Sequence, residues 1–570
     1  MHNKRFALFA ILIVAAMVLA ACPAPDPSSG AAEGGEAMMA SGPVTLDFNL
    51  ATEPPSLDPS LGTDTTSISL INEMFLGLTE LDPDTQEALP ELATSWEASE
   101  DGTVWTFNMR DDVVYGVQRT CDARTASDYS YVLYVIGGCE AANTAEEVTD
   151  ELMAGVAVEA LDDFTVQFTL NFGASYFGQI ASMWVTRPMP QAAIEEHGDL
   201  WTEPENIVTN GPFIMTEWIH GDSLQMVRNP HWYGWEELSD VIGNVEVMNF
   251  VMIEEESTEF AMFENDELDF SDLPLEQMDR ALAGEFGDQY ISVPRNCTYY
   301  YGFITTKEAV SDVRVRKALS MAVDRQTLAD DILKGGQIPA NTFTNPLNFG
   351  SPAGDTDVAP WALSESQGGL GYAAAIETAG GLMEEAGYPG GEGLSLTIGH
   401  NTSESHAKIA QAIQAMWSEV FPGLEVNVEN QEWGVYLDSL ENDAPDEGKP
   451  DVFRLGWCQD YPHANNWIHE VFNPDAGANR IKIGADSPQV GDAVVEFTET
   501  TIAAQTASAE EQLELYKQAE QLFIDEIVGI IPIYYYTTVG VAKPWLTRPY
   551  SDDKYFYRWS IDAEAKAAAQ

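Results

Sequence analysis

The run from Phe6 to Ala21 is apolar at every position, follows Lys4 and Arg5, and closes on Leu19-Ala20-Ala21-Cys22. A basic start, an apolar centre and small residues at the end make residues 1–21 a secretory signal. At about 16 residues the run falls short of the roughly 20 that a spanning helix needs, which argues against a membrane anchor. No second run of that length follows. Whatever comes after it is therefore expected to fold as a soluble body on the far side of the cytoplasmic membrane, where thiols can pair.

The small residues before Cys22 resemble a bacterial lipobox, so Cys22 is expected to carry lipid and to become the mature N-terminus. Residues 22–43 are rich in Pro, Ser, Gly, Ala and Glu and read as a lipidated flexible tether. Four cysteines remain: Cys121, Cys139, Cys297 and Cys458. Cys121 and Cys139 flank one short segment and can close a local loop, but four thiols allow three pairings. Lys plus Arg is 26 and Asp plus Glu is 92, a formal charge of −66, which makes nucleic acid and anionic lipid surfaces poor partners. A well-solvated surface accounts for most of that acidity.

At 570 residues the chain holds several domains. Some stretches repeat with period 2 and others with period 3.6, so both strands and helices are expected. Val44–Leu50, Asp101–Arg110 and Asp163–Leu170 alternate as strands, and Asn210–Phe213 with Asp222–Pro230 frames a hairpin. Val245–Ile253 is nearly all apolar and reads as a strand buried on both faces. Ser67–Leu78, Glu259–Asp269 and Val313–Lys334 each read as one helix. In Ser403–Val420, Ser403 is the N-cap and Ile409, Ala410, Ile413, Met416, Trp417 and Val420 form the apolar face. His406 stands in the first turn of that helix, where a structural role is the ordinary one and an anion site the alternative. Leu424–Asn430 alternates as a strand into Trp433, a core residue or a pocket wall.

The stretch Asp451–Pro462 carries the chemistry. It opens as a short apolar strand, is expected to break at Gly456, and then presents Trp457, Cys458 and Asp460 before Pro462 stops it. Arg454 and Asp460 lie six positions apart. They suit the two ends of a zwitterion, a carboxylate on Arg454 and an ammonium on Asp460. The alternative is an ordinary ion pair between the two.

The run Arg454-x-Gly-Trp-Cys-x-Asp-Tyr461 resembles the signature of the oligopeptide-binding proteins that feed ABC importers, the family 5 solute-binding proteins. Glu53–Pro59, Cys297-Thr-Tyr-Tyr-Tyr301, Asn401–Lys408, Ile530–Tyr536 and Lys543-Pro-Trp545 extend the likeness from about Val44 to Ile561. It implies a two-lobed periplasmic-binding-protein-like α/β fold with an extra inserted domain and a hinge between the lobes. Residues 44–75, 204–296 and 538–570 would form lobe I, 76–203 the extra domain and 297–537 lobe II. It implies disulfides Cys297–Cys458 and, with the local loop, Cys121–Cys139. Asp460 would hold a peptide's N-terminus, and Arg454 and His406 its C-terminus. Trp433, Gly456, Trp457, Cys458, Tyr300 and Tyr536 would line side-chain pockets, joined by Thr63 and Thr65. One departure stands at Thr63, where the best-studied relatives place a Glu.

On this likeness the chain is a monomeric, lipid-anchored binding protein. It takes peptides of about two to five residues outside the cytoplasmic membrane and passes them to an ABC permease, with no cofactor, no metal and no catalytic residue. A binder of oligosaccharide or metal chelate on the same fold is the alternative; the 14 Trp suit sugar stacking, but paired charges do not. A secreted hydrolase is more remote, since the chain has no His-Glu-x-x-His, Gly-x-Ser-x-Gly or P-loop sequence.

Overall fold

The computed structural model describes residues 42–83, 85–109, 117–442, 444–474, 478–549 and 555–569. The signal sequence, the lipidation at Cys22 and the tether expected from the sequence lie, up to residue 41, outside the described residues.

Two long strands organise the molecule. The first crossing strand, Tyr290–Phe303, pairs antiparallel with the second, Ile530–Ala542, and the register slips between Pro294 and Thr298. Each strand feeds two apolar cores. Ile291 and Ala542 belong to a core built from Leu46–Phe270 and Tyr555–Ile561, whereas Tyr299–Phe303 and Ile530–Tyr534 belong to a core spanning Tyr299–Tyr534. We call the surroundings of these cores the first and second bodies. Pairing ladders that run from one core into the other are the only continuous β-structure shared between the bodies among the described residues.

The first body holds the sheet Thr45–Asn49, Val247–Val251, Ser223–Arg228 and Phe213–Ile219, in that spatial order. A second four-stranded sheet, Ala93–Ala98 to Thr165–Thr169, packs into the same core through Trp105, Phe107, Met109, Val166 and Phe168. In the second body the strand Val452–Cys458 lies between the first crossing strand and Ser395–Asn401, which pairs in turn with Glu425–Gln431.

Four helices position the site. Helix α1 (Thr65–Met74) starts where the Asp64 carboxylate accepts from Thr66 N and Ser67 N. Helix α2 (Glu256–Glu264) lies in the first body. Helix α3 (Glu404–Val420) is capped by Ser403, whose Oγ accepts from His406 N. In helix α4 (Trp433–Leu440) the Glu432 carboxylate accepts from Gly434 N and Val435 N.

Several boundaries differ from the sequence reading, each for a local reason. The helix expected at Ser67–Leu78 begins and ends earlier, because Asp64 rather than Ser67 is the cap and Asn210 Oδ1 takes Leu76 N beyond the helix end. Val313–Lys334 is not one helix. It stops at Met321, and Asp324 caps a second start at Arg325 by accepting from Thr327 N. The helix expected at Glu259–Asp269 is α2, shifted toward the N-terminus. Val247–Val251 buries only Met248 and Phe250, so one face alone meets the core. The strand carrying Arg454 does not break at Gly456; it pairs through Cys458, with Cys297 opposite Cys458 and Tyr299 opposite Gly456.

Both sulfur pairs form, Cys121–Cys139 and Cys297–Cys458. Their sequence separations are 18 and 161. In the chain-entropy model such loops correspond to about 3 and about 4–5 kcal/mol of stabilisation.

Candidate ligand-binding site

A cavity of about 230 Å³ opens between the two bodies. Arg454, Gly456, Trp457, Cys458 and Asp460 reach it from one strand and its exit, Trp433 from the start of α4, and Tyr536 and Tyr300 from the crossing strands. Thr63 reaches it from the turn before α1 and Thr65 from the first position of α1. Ten residues singled out in the sequence thus meet around one space. His406 is not among the lining side chains. Tyr300 lines the cavity yet is only 2 % exposed, packed against Phe343, Phe453 and Phe472.

Arg454 is 6 % exposed and rigidly framed. Its Nη1 donates to Asn401 Oδ1 (3.0 Å) and its Nη2 to Tyr536 Oη (2.6 Å). The guanidinium lies 4.5 Å from the centre of the Tyr299 ring, and Tyr436 Oη accepts from Arg454 N. Its Nε has no partner. None of these bonds goes to Asp460, so the ordinary ion pair between the two is not formed. Gly456 is required beside this group, because a Cβ there would come within 2.8 Å of Tyr536 Oη. The Tyr299 hydroxyl stands 3.4 Å from His406 Nδ1. Burial, reinforced by the charge of Arg454, holds the His406 imidazole well below its usual pKa and therefore neutral. Burial pushes the Tyr299 hydroxyl up to about 12, so it too stays neutral. The result is a deep, permanently cationic pocket wall with neutral hydroxyl and imidazole groups behind it, suited to a carboxylate.

Asp460 is half-buried and sits where this cavity meets a larger one of about 530 Å³. Its backbone N donates to Asn466 Oδ1 (2.9 Å) and its Oδ2 accepts from Asn466 Nδ2 (2.8 Å). Nearby Glu470 is buried and accepts from Tyr461 Oη and Asn466 Nδ2. Burial, aided by the charge of Asp460, pushes the Glu470 carboxyl up to about 8. Glu470 is thereby held protonated at neutral pH. Across the gap, Tyr129 stacks on Trp457 at 6.2 Å and Tyr176 on Tyr461 at 5.2 Å. Gln459 Nε2 donates to Gln86 Oε1. The amine-binding candidate is thus bordered by both bodies.

The bodies also meet beside the Arg454 end. The Glu256 carboxylate of α2 accepts from Ser403 Oγ, Ser405 N and Ser405 Oγ at the start of α3. Reciprocally, the Glu404 carboxylate of α3 accepts from Ser257 N and Ser257 Oγ at the start of α2. Each helix places an acid at the positive end of the other. Lys408 pairs with Glu276 alongside them.

Sequence reasoning missed Asp64, Tyr129, Tyr131 and Arg480, all of which line the cavity. Tyr129 and Tyr131 lie between the local pair Cys121 and Cys139, a signal that their loop is held for use.

Residues 87–479 match the family model for bacterial extracellular solute-binding proteins, family 5. The periplasmic oligopeptide-binding protein OppA of Escherichia coli is 31 % identical over 521 residues, covering 88 % of this chain and 89 % of the relative. The oligopeptide-binding protein OppA of Bacillus subtilis is 30 % identical, covering 97 % of this chain and all of the relative. The crystal structure of Haemophilus influenzae OppA in complex with the peptide RPPGFSPFR superimposes with a TM-score of 0.79 at 26 % identity, over 91 % of this chain and 99 % of that one.

Proposed function

This chain belongs to the family 5 bacterial extracellular solute-binding proteins and has their two-lobed α/β fold, and we propose that it captures short peptides outside the cytoplasmic membrane and delivers them to an ABC permease. One observation carries the reading. Arg454 and Asp460 line one cavity, and Arg454 is not bonded to Asp460. A peptide's carboxylate would lie against Arg454, with Tyr299 and Tyr536 beside it and His406 behind. Its ammonium would meet Asp460. Buried main-chain groups cost about 1–3 kcal/mol each when unpaired, so strand-like pairing along Gly456 would satisfy them without regard to sequence. Trp433, Trp457, Thr63, Thr65 and Tyr300 would wall the side-chain space.

The domain division follows the same logic. Boundaries at 296/297 and 537/538 fall within the crossing strands, close to the register slip between Pro294 and Thr298, where pairing between the two strands is interrupted. Hinge closure over ligand would turn there. We assign residues 76–203 to the extra domain, 1–21 to a signal peptide and Cys22 to the lipid anchor, with the chain acting as a monomer at the outer face of the membrane. The relatives are named as binding proteins rather than enzymes, and neither the hydrolase nor the oligosaccharide and metal-chelate readings gains support from them.

Calorimetric titration with a free tripeptide and its N-acetylated, C-amidated form tests the proposal. The free peptide should bind and the doubly blocked one should be at least about 100-fold weaker. Equal binding of the two would remove the zwitterion from the reading.

A further inference from the structure

Arg480 lines the same cavity, and among the described residues no hydrogen bond or ion pair engages its side chain. Its Nη1 is shut off from water and unpaired. In a chain with 92 acidic and 26 basic residues this is unexpected, since almost any exposed orientation would find a carboxylate. Other arginines are engaged. Arg119, Arg124, Arg314 and Arg558 pair with Asp58, Asp122, Asp312 and Glu80, and buried Arg316 and Arg325 donate to main-chain carbonyls.

The base of Arg480 is fixed on both sides. Asn479, in a left-handed conformation at φ 43°, donates its N–H to Val471 O and its Nδ2 to Ile483 O, and accepts from Ile483 N. Ile481 O accepts from Thr305 N and Thr305 Oγ1. The side chain is therefore presented to the cavity by a firm frame. The Tyr131 hydroxyl also lines the cavity and is buried, with the Tyr129 hydroxyl as its polar neighbour. The Tyr131 ring packs on Tyr129 at 5.4 Å, and Tyr129 stacks in turn on Trp457 beside Asp460. Both hydroxyls respond to the charges of Arg480 and Asp460, so Arg480 is within electrostatic reach of that end.

A peptide has one C-terminal carboxylate, and Arg454 accounts for it under the function proposed above, on which this inference rests. A second guanidinium with an unpaired buried donor calls for a second anion, because such a donor is costly when left empty and strong when matched. We propose that Arg480, with the Tyr131 hydroxyl, is a side-chain subsite for a carboxylate near the peptide's N-terminus, so that the chain selects peptides bearing Asp or Glu at the first or second position.

The test is calorimetry with Glu-Ala-Ala and Ala-Glu-Ala against Gln-Ala-Ala and Ala-Gln-Ala. On wild type, at least one glutamate peptide should bind about 10- to 100-fold more tightly than its glutamine isostere. In Arg480→Gln that ratio should fall to within about threefold, and Arg480→Lys should keep part of it. A ratio near one in wild type, or one that survives Arg480→Gln, overturns the subsite. So does a C-terminal amidation penalty that disappears in Arg480→Gln, which would make Arg480 the C-terminal anchor instead. If none of the four peptides binds wild type, the peptide reading itself fails and the subsite falls with it.

Discussion

The two ends of the cavity are built differently. At the Arg454 end the groups that hold Arg454 come from the second body or from a crossing strand: Asn401, Tyr299 and Tyr536 at the guanidinium and Tyr436 at its main chain. At the Asp460 end the second body supplies Asp460, Trp457 and Asn466, but Tyr129, Tyr176 and Gln86 come from the first. One end is complete within a single body, whereas the other is completed only where the two meet. The lesson is an order of events. On the function proposed above, a carboxylate would dock on the preformed end of an open molecule, and the amine end would then reward closure, making the closed form recognisable to a permease.

Asp460→Asn gives the largest expected effect. Leaving a buried ammonium without its counter-charge costs about 3–5 kcal/mol, roughly 100- to 3,000-fold in affinity for free tri- to pentapeptides. N-acetylated peptides should bind wild type as poorly as free ones bind the variant. A loss within about threefold would place the amine anchor elsewhere and end the contrast drawn here.

Arg454→Ala comes next, with a loss of about 10- to 150-fold, the worth of one charge-assisted contact. C-terminal amidation should weaken binding to wild type and matter little to the variant. Because Arg454 is always charged and His406 is held neutral, the amidation penalty should be flat between about pH 6 and 8. A penalty that grows as pH falls toward 6 would mean that His406 gains a proton when the carboxylate arrives.

Tyr129→Ala isolates closure. An aromatic pair is worth about 0.5–1.5 kcal/mol, so affinity should fall about 2- to 12-fold, with the change in the off-rate measured by stopped-flow. A change confined to the on-rate would mean that Tyr129 meets ligand before the bodies close.

The smallest effect concerns acidity. Native Glu470 keeps its proton up to about pH 8, while the unfolded chain releases it near the ordinary value of 4.5. The unfolded state thus binds fewer protons across that window, and this group's contribution to stability declines as pH rises from about 4.5 to 8. Buried Glu91 and Glu259 act in the same direction. Melting scans at pH 5 and 8 should show a smaller difference in Glu470→Gln than in wild type; an unchanged difference would assign the slope to the other acids alone.

What the sequence made legible was local. Val104–Met109 and Thr165–Thr169 alternate visibly, and Ser403 announces α3, because these signals need no knowledge of distant partners. Arg454, Gly456, Cys458 and Asp460 share one short run, so their convergence could be anticipated. Asp324 was hidden, since periodicity continues through it and only its capping bond ends the helix. Tyr129 and Tyr131 lie more than 300 positions from Asp460, and Arg480 stands out only through its unpaired Nη1. A missing partner has no signature in a sequence.

The paired caps of α2 and α3 supply a built-in clock. The amides of Ser257 and Ser405 are each held by a carboxylate of the opposite body. Whenever the bodies part, both lose that shelter at once, while amides deeper in the same helices keep their own carbonyl partners. Deuterium uptake at these two sites therefore counts openings, and the ratio of uptake with and without peptide measures how long a captured molecule stays shut before release.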